Sequence, residues 1–139
     1  MCCLFGIVDH QRRFNAKEKT HILSVLATAC EERGTDATGI AYCSDYHLSI
    51  YKRPLEAHRL RFRVPEDSSV IMGHTRMTTQ GRANRNRNNH PFLGETNGER
   101  FALAHNGVLW NDRILRRSED KKRNGQLCCR PADRTENGP

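Results

Sequence analysis

Apolar residues in this chain come in short runs, and that shortness restricts the folds open to it. LFGIVD (Leu4–Asp9), TGIAYC (Thr38–Cys43), YHLSIYK (Tyr46–Lys52) and SSVIMGHTR (Ser68–Arg76) are of strand length. Only NAKEKTHILSVLATACEERG (Asn15–Gly34) has helical spacing, through Ile22, Leu23, Leu26 and Ala29, with Gly34 where a C-cap belongs. The two runs flanking Ser44-Asp45 read as a β-hairpin, and PLEAHRLRF (Pro54–Phe62) as one or two helical turns. MTTQGRANRNRNNHPF (Met77–Phe92) is nearly bare of apolar side chains and reads as a long loop. RFALAHNGVLW (Arg100–Trp110) reads as a strand entering an Asn-Gly corner. The order strand–helix–hairpin–strand–loop–strand predicts an α+β fold, an antiparallel sheet with helix on a face.

Beyond Asn111 the pattern collapses. Residues 113–139 carry eight Lys/Arg against four Asp/Glu, so they hold +4 of the formal charge of +7. Nothing resembles a membrane span or a secretory signal. The six cysteines, Cys2, Cys3, Cys30, Cys43, Cys128 and Cys129, form no CxxC spacing, and adjacent pairs are poor disulfide partners. A reduced, cytoplasmic setting is the expectation.

Four constellations carry chemistry. Cys2 stands directly behind the initiator methionine, which aminopeptidases remove when the next residue is small. The mature chain would then begin with a thiol and a free α-amine on one residue. Such an amine titrates near about 7.7–8.0 and can take the thiol's proton without a histidine. GHTRMTTQG (Gly73–Gly81) puts the planar guanidinium of Arg76 at a strand end, suited to gripping a carboxylate, with threonine hydroxyls beside it. In NRNNHPF, Pro91 pushes His90 towards extended backbone and a rigid loop wall. AHNGV (Ala104–Val108) offers an Asn side chain and a glycine N–H as adjacent donors, the requirement of a tetrahedral oxyanion. Taken singly, each has a plainer reading: a small buried cysteine, a solvated arginine, an unremarkable histidine, an ordinary turn. A zinc site from His74, His90, His105 and Cys2 matches no compact ligand spacing. The Asn-rich basic loop lacks the interleaved aromatics of a nucleic-acid surface, so nucleic acid is not the expected partner.

In this order, MC-x-LFG, RGTDATGI, GHTRMTTQG, NNHPF and AHNGV resemble the class II glutamine amidotransferases, of the N-terminal-nucleophile hydrolase superfamily. The resemblance covers residues 1–118. It implies an αββα sandwich of antiparallel sheets, L-glutamine as substrate, no cofactor or metal, and a separate ammonia-acceptor domain or subunit. By carry-over, Cys2 is the nucleophile and its α-amine the base. Asn106 and the N–H of Gly107 resemble the oxyanion hole. Arg76 would bind the glutamine α-carboxylate, Thr79 and His90 would line the pocket, and Arg33 and Gly34 belong to a loop closing around the nucleophile.

There are departures. Cys3 stands where the family commonly has glycine, which puts a second, oxidisable thiol beside the first. The Glu-Thr-Asp-Ser type motif that follows the corner in relatives is absent, leaving the sandwich incomplete. Residues 119–139 are therefore expected to be a basic tail, disordered or frameshifted. Ordinary codons for Arg123–Gly138, read one nucleotide late, can encode Glu-Thr-Asp-Ser and an apolar-periodic helix. The expected activity is glutamine amide hydrolysis, impaired in a chain cut short. The alternative is a catalytically dead fragment that only binds a partner.

Overall fold

The computed structural model describes residues 2–78, 82–111 and 113–115. The chain divides into two compact units, Met1–Gly107 and Val108–Pro139. In the second, Ile114 and Leu115 donate their N–H groups to the Asn111 carbonyl at 3.0 and 3.1 Å. The proposed 119–139 tail and its reading-frame explanation lie outside the described residues.

The first unit has one α-helix and six strands among its described residues. Strands β1 (Cys3–Val8), β2 (Ala37–Ser44), β3 (His47–Arg53) and β4 (Val70–Arg76) form an antiparallel sheet in the order β1-β4-β2-β3. The β2–β3 hairpin turns at Asp45-Tyr46, both with positive φ. Strands β5 (Phe92–Thr96) and β6 (Glu99–Leu103) form a separate antiparallel pair. Among its described residues the polar stretch after β4 holds a 3-10 turn, Asn86–Asn88, and no strand until β5 begins at its last residue. Asn97-Gly98 between β5 and β6 is a hairpin dipeptide that the sequence reading passed over.

Helix α1 (Ala16–Ala29) starts at a capping box. The Asn15 side chain accepts the N–H groups of Lys17 and Glu18 at 2.9 and 3.0 Å, while Glu18 accepts the Asn15 N–H at 2.8 Å. A 3-10 turn, Cys30–Arg33, continues it and ends at Gly34. The stripe facing the sheet is Lys19, Leu23 and Ala27, all fully buried, with Ile22 packed against its edge. Ala29 lies outside the stripe and is exposed.

The sheet turns Phe5, Ile7, Ile40 and Ile71 towards α1, where Phe62 and Val64 complete the core. Phe5 lies opposite Gly73, and a Cβ on Gly73 would run into the Phe5 ring. That fit pins β1 against β4.

Lys19 is a charged group in an apolar stripe, and its partners explain why it is tolerated. Nζ is 3.2 Å from Asp9 Oδ2 and donates to the carbonyls of Glu66 and Ser68 at 2.6 and 2.8 Å. Asp9 also accepts the N–H groups of Arg13 and Phe14 at 2.9 and 3.2 Å. The Arg13 N–H, followed by the Phe14 N–H and the Lys19 ammonium, holds the Asp9 carboxyl below its ordinary value against the cost of desolvation. One ammonium thus joins the end of β1, the start of α1 and the turn before β4. Lys19→Met strands the Asp9 charge and should lower Tm by about 10 °C or more. Adding Asp9→Asn should regain more than half of the loss, measured by circular dichroism melts.

Candidate functional site

Antiparallel pairing sets the C-terminal end of β4 beside the N-terminal end of β1. Cys3 pairs with Thr75, so Cys2 lies against Arg76 and Met77, and its Sγ donates to the Met77 carbonyl at 3.6 Å. The segment after the 3-10 turn wraps the same end. Gly34 is buried so tightly that a Cβ would come within 2.5–2.8 Å of the Arg76 carbonyl group and the Met77 nitrogen. The Asp36 N–H donates to the Arg76 carbonyl at 2.9 Å, and the Asp36 carboxylate accepts the Thr78 N–H at 2.6 Å. The Thr78 backbone N–H, with the nearby Arg76 charge assisting, holds the Asp36 carboxyl below its ordinary value.

Arg76 is only 7% exposed, and its Nη1 donates to Asn89 Oδ1 at 2.7 Å. Asn89 is fully buried and donates in turn to the Ala83 carbonyl at 2.7 Å. Lys52 clamps the loop from β3, donating to the carbonyls of Asn89 and Pro91 at 2.7 and 2.9 Å. The His90–Pro91 peptide is cis. The His90 ring packs on His74 and Phe92, with centroids 4.4 and 4.3 Å apart.

Both histidines are neutral at pH 7. Burial pushes His74 down to about 4, the Arg76 charge adding to it and the His105 backbone opposing it. Burial, then repulsion by any proton on His74 and by the charges of Arg76 and Lys52, pushes His90 to about the same value. Among the described residues, both His74 ring nitrogens and His90 Nδ1 are buried without a well-aligned hydrogen bond. The result is a buried guanidinium flanked by uncharged rings, an environment that favours a carboxylate over a cation.

The residues singled out from sequence are only partly gathered. Cys2, Gly34 and Arg76 converge on one strand end, with Arg33 exposed just before Gly34, and His90 is tied in through Asn89. Thr79 lies outside the described residues. Asn106 and Gly107 are exposed beyond β6, and among the described residues no hydrogen bond joins them to Cys2. His105, whose ring adjoins Gly107, brings that corner near His74.

Three contributors escaped the sequence reading. Asp36 stood within the quoted RGTDATGI as an acid at the start of a strand. Asn89, next to His90, and Lys52 on the hairpin gave no signal separable from ordinary polar residues. Among the described residues no three His, Cys, Asp or Glu side chains converge as a metal site would. An open groove of about 700 Å³ along α1, lined by Lys17, Thr20, His21 and Arg61–Val64, shares no residue with the Cys2 end.

A strand-end thiol that donates to the carbonyl next to the buried Arg76 thus stands on an antiparallel sheet with, among the described residues of the first unit, one α-helix. The model of the family described as glutamine amidotransferases class-II matches residues 34–124, and the chain belongs to that family. Among curated proteins it is similar to the glutamine–fructose-6-phosphate aminotransferase [isomerizing] of Staphylococcus aureus (strain Mu50 / ATCC 700699). Identity is 34% over 114 residues, 80% of this chain and 18% of that protein. The enzyme of the same name from Staphylococcus epidermidis (strain ATCC 12228 / FDA PCI 1200) matches with the same figures. The chain thus spans 18% of the length of these relatives. No solved structure matches it.

The neutral histidine pair carries a stability cost in acid. An unfolded imidazole takes its proton near 6.5, a folded one here only near 4, so the unfolded state binds more protons between those values. Stability is then full above pH 6.5 and falls as pH drops towards 4. Tm should fall by about 10 °C between pH 7 and pH 4.5. His74→Phe, which keeps the packing and removes one titration, should roughly halve that fall in calorimetric scans.

Proposed function

We propose that this chain is a glutaminase domain in which Cys2, freed of Met1, attacks the side-chain amide of L-glutamine. The observation that supports the reading is the β1–β4 register, with the Cys2 thiol donating to the Met77 carbonyl, one residue along from the buried Arg76. The α-amine of Cys2 takes the thiol proton and passes it to the departing nitrogen, releasing ammonia and leaving a γ-glutamyl thioester. Water, activated by the same amine, then frees glutamate and restores the thiol. Asn106 and the Gly107 N–H stabilise the oxyanion of each tetrahedral intermediate, which requires their corner to close over Cys2 when glutamine binds.

Arg76 receives the α-carboxylate of glutamine, while Thr79, His90 and the Arg33–Gly34 loop shape the pocket. Asn89 and Asp36 act through others: Asn89 orients the guanidinium, and Asp36 ties the Gly34 loop to Thr78. Ammonia passes to an acceptor domain or subunit outside this sequence. The names of the relatives suggest a hexose phosphate acceptor. Residues 1–118 form the N-terminal part of the amidotransferase domain in this reading, and the site operates in the cytoplasm. Among the described residues no helix is long and apolar enough to cross a membrane.

A glutamine-mimicking electrophile with an intact α-amino acid end should add once, on Cys2, in protein whose mass shows Met1 removed. Arg76→Lys should slow that labelling by roughly 10–100-fold through loss of the two-pronged carboxylate contact. Labelling by iodoacetamide, which has no carboxylate, should hold its rate. No adduct on Cys2 in the folded protein would leave the non-catalytic, partner-binding reading in its place.

A further inference from the structure

The second thiol of the Cys2-Cys3 pair has a partner of its own. Cys3 faces the helix layer, and its Sγ is 2.8 Å from the Sγ of Cys30, the residue that closes α1. A disulfide needs about 2.05 Å between sulfurs, so the two atoms are within about 0.8 Å of bonding. The surrounding backbone holds them there. Cys3 pairs with Thr75, and the Thr75 hydroxyl donates to the Cys30 carbonyl at 3.0 Å. Both residues are partly exposed, so a small oxidant can reach them. The Cys2 thiol is directed to the Met77 carbonyl, and Cys43 lies at the other end of β2 from Thr38, the residue paired with Thr75.

We propose that Cys3 and Cys30 form a modification site, a dithiol that hydroperoxides oxidise reversibly to an intramolecular disulfide. The Cys3 sulfur attacks the hydroperoxide, ROOH; the O–O bond breaks, ROH leaves and Cys3 becomes a sulfenic acid. The Cys30 sulfur then displaces the hydroxyl, which leaves as water with the Cys30 proton, and the S–S bond forms. Two thiols are oxidised and one hydroperoxide is reduced. Burial, with the Cys3 thiol alongside, pushes Cys30 up to about 12, which makes Cys3 the attacking sulfur and Cys30 the resolving one. The bond ties the strand bearing Cys2 to the turn leading into Gly34, closing a loop that contains all of α1. It does not depend on the glutaminase reading, since neither sulfur is assigned a catalytic role.

The test uses the full chain, reduced and then treated with one equivalent of hydrogen peroxide. Alkylation and mass spectrometry should count two thiols lost from six, and a proteolytic digest should contain a Cys3–Cys30 linked peptide. Tm should rise by several degrees and return on adding dithiothreitol. Cys30→Ser and Cys3→Ser should each lose the shift, whereas Cys43→Ser should keep it. Linkage of Cys2 to Cys3, disulfide-linked dimers, or oxidation with no Cys3–Cys30 peptide would overturn the proposal, as would an unchanged Tm once that peptide is present.

Discussion

The site depends on the register between β1 and β4. Strands alternate faces with a period of two, so a slip of one residue would turn every side chain of β1 to the wrong side. Phe5 would leave the core, and Cys2 would no longer lie beside Arg76 and Met77. Two features hold the register against this. The Phe5 ring fills the place of the side chain that Gly73 lacks, and the Lys19–Asp9 pair anchors the far end of β1 to the helix and to the turn before β4. The first stands midway along the strand pair and the second beyond its end away from the site, so the register of the Cys2 end is set by contacts elsewhere on the strands.

The second requirement is electrostatic. A buried arginine would repel any further cation, and the two rings nearest it are histidines, the side chains most easily charged near neutrality. Packing them against each other, with His90 also against Phe92, removes that option, because burial and the Arg76 field both oppose protonation. Asn89 does the complementary task. Its neutral carbonyl oxygen holds the guanidinium in place without cancelling its charge, as a carboxylate there would.

Much of this was legible in the sequence, and the failures have physical reasons. Helix α1 and strand β1 bury one face, and one-sided burial writes a period into the residues. Strands β2 and β4 are buried along most of their length and show instead as short apolar runs of strand length. The β5–β6 pair is mostly exposed, so its periodicity is faint: β6 was read as a strand from RFALA, whereas β5 and the Asn97-Gly98 turn that pairs the two were passed over. Lys19 was unreadable as core: a lysine in an apolar stripe looks like a break until its carbonyl and carboxylate partners are known. At the site, Cys2, Gly34 and Arg76 were identifiable because they sit at element ends within motifs. Asn89, Lys52 and Asp36 act through hydrogen bonds to loop carbonyls and N–H groups distant in sequence, which no local spacing encodes.

The adjacent cysteines illustrate how strand geometry separates chemistry that sequence places side by side. Neighbouring residues on a strand face opposite ways, so two thiols joined by one peptide unit meet different surroundings. Cys2 is directed at the strand end near Arg76; Cys3 turns beneath the sheet to Cys30. A glycine at position 3 would leave Cys30 without a partner and β1 held at that end by backbone pairing alone. With cysteine there, the strand bearing the proposed nucleophile gains a potential covalent tie to the turn that leads into Gly34. Oxidation on one face of β1 then bears on the position of a sulfur on the other, through a backbone too short and too well paired to absorb the change.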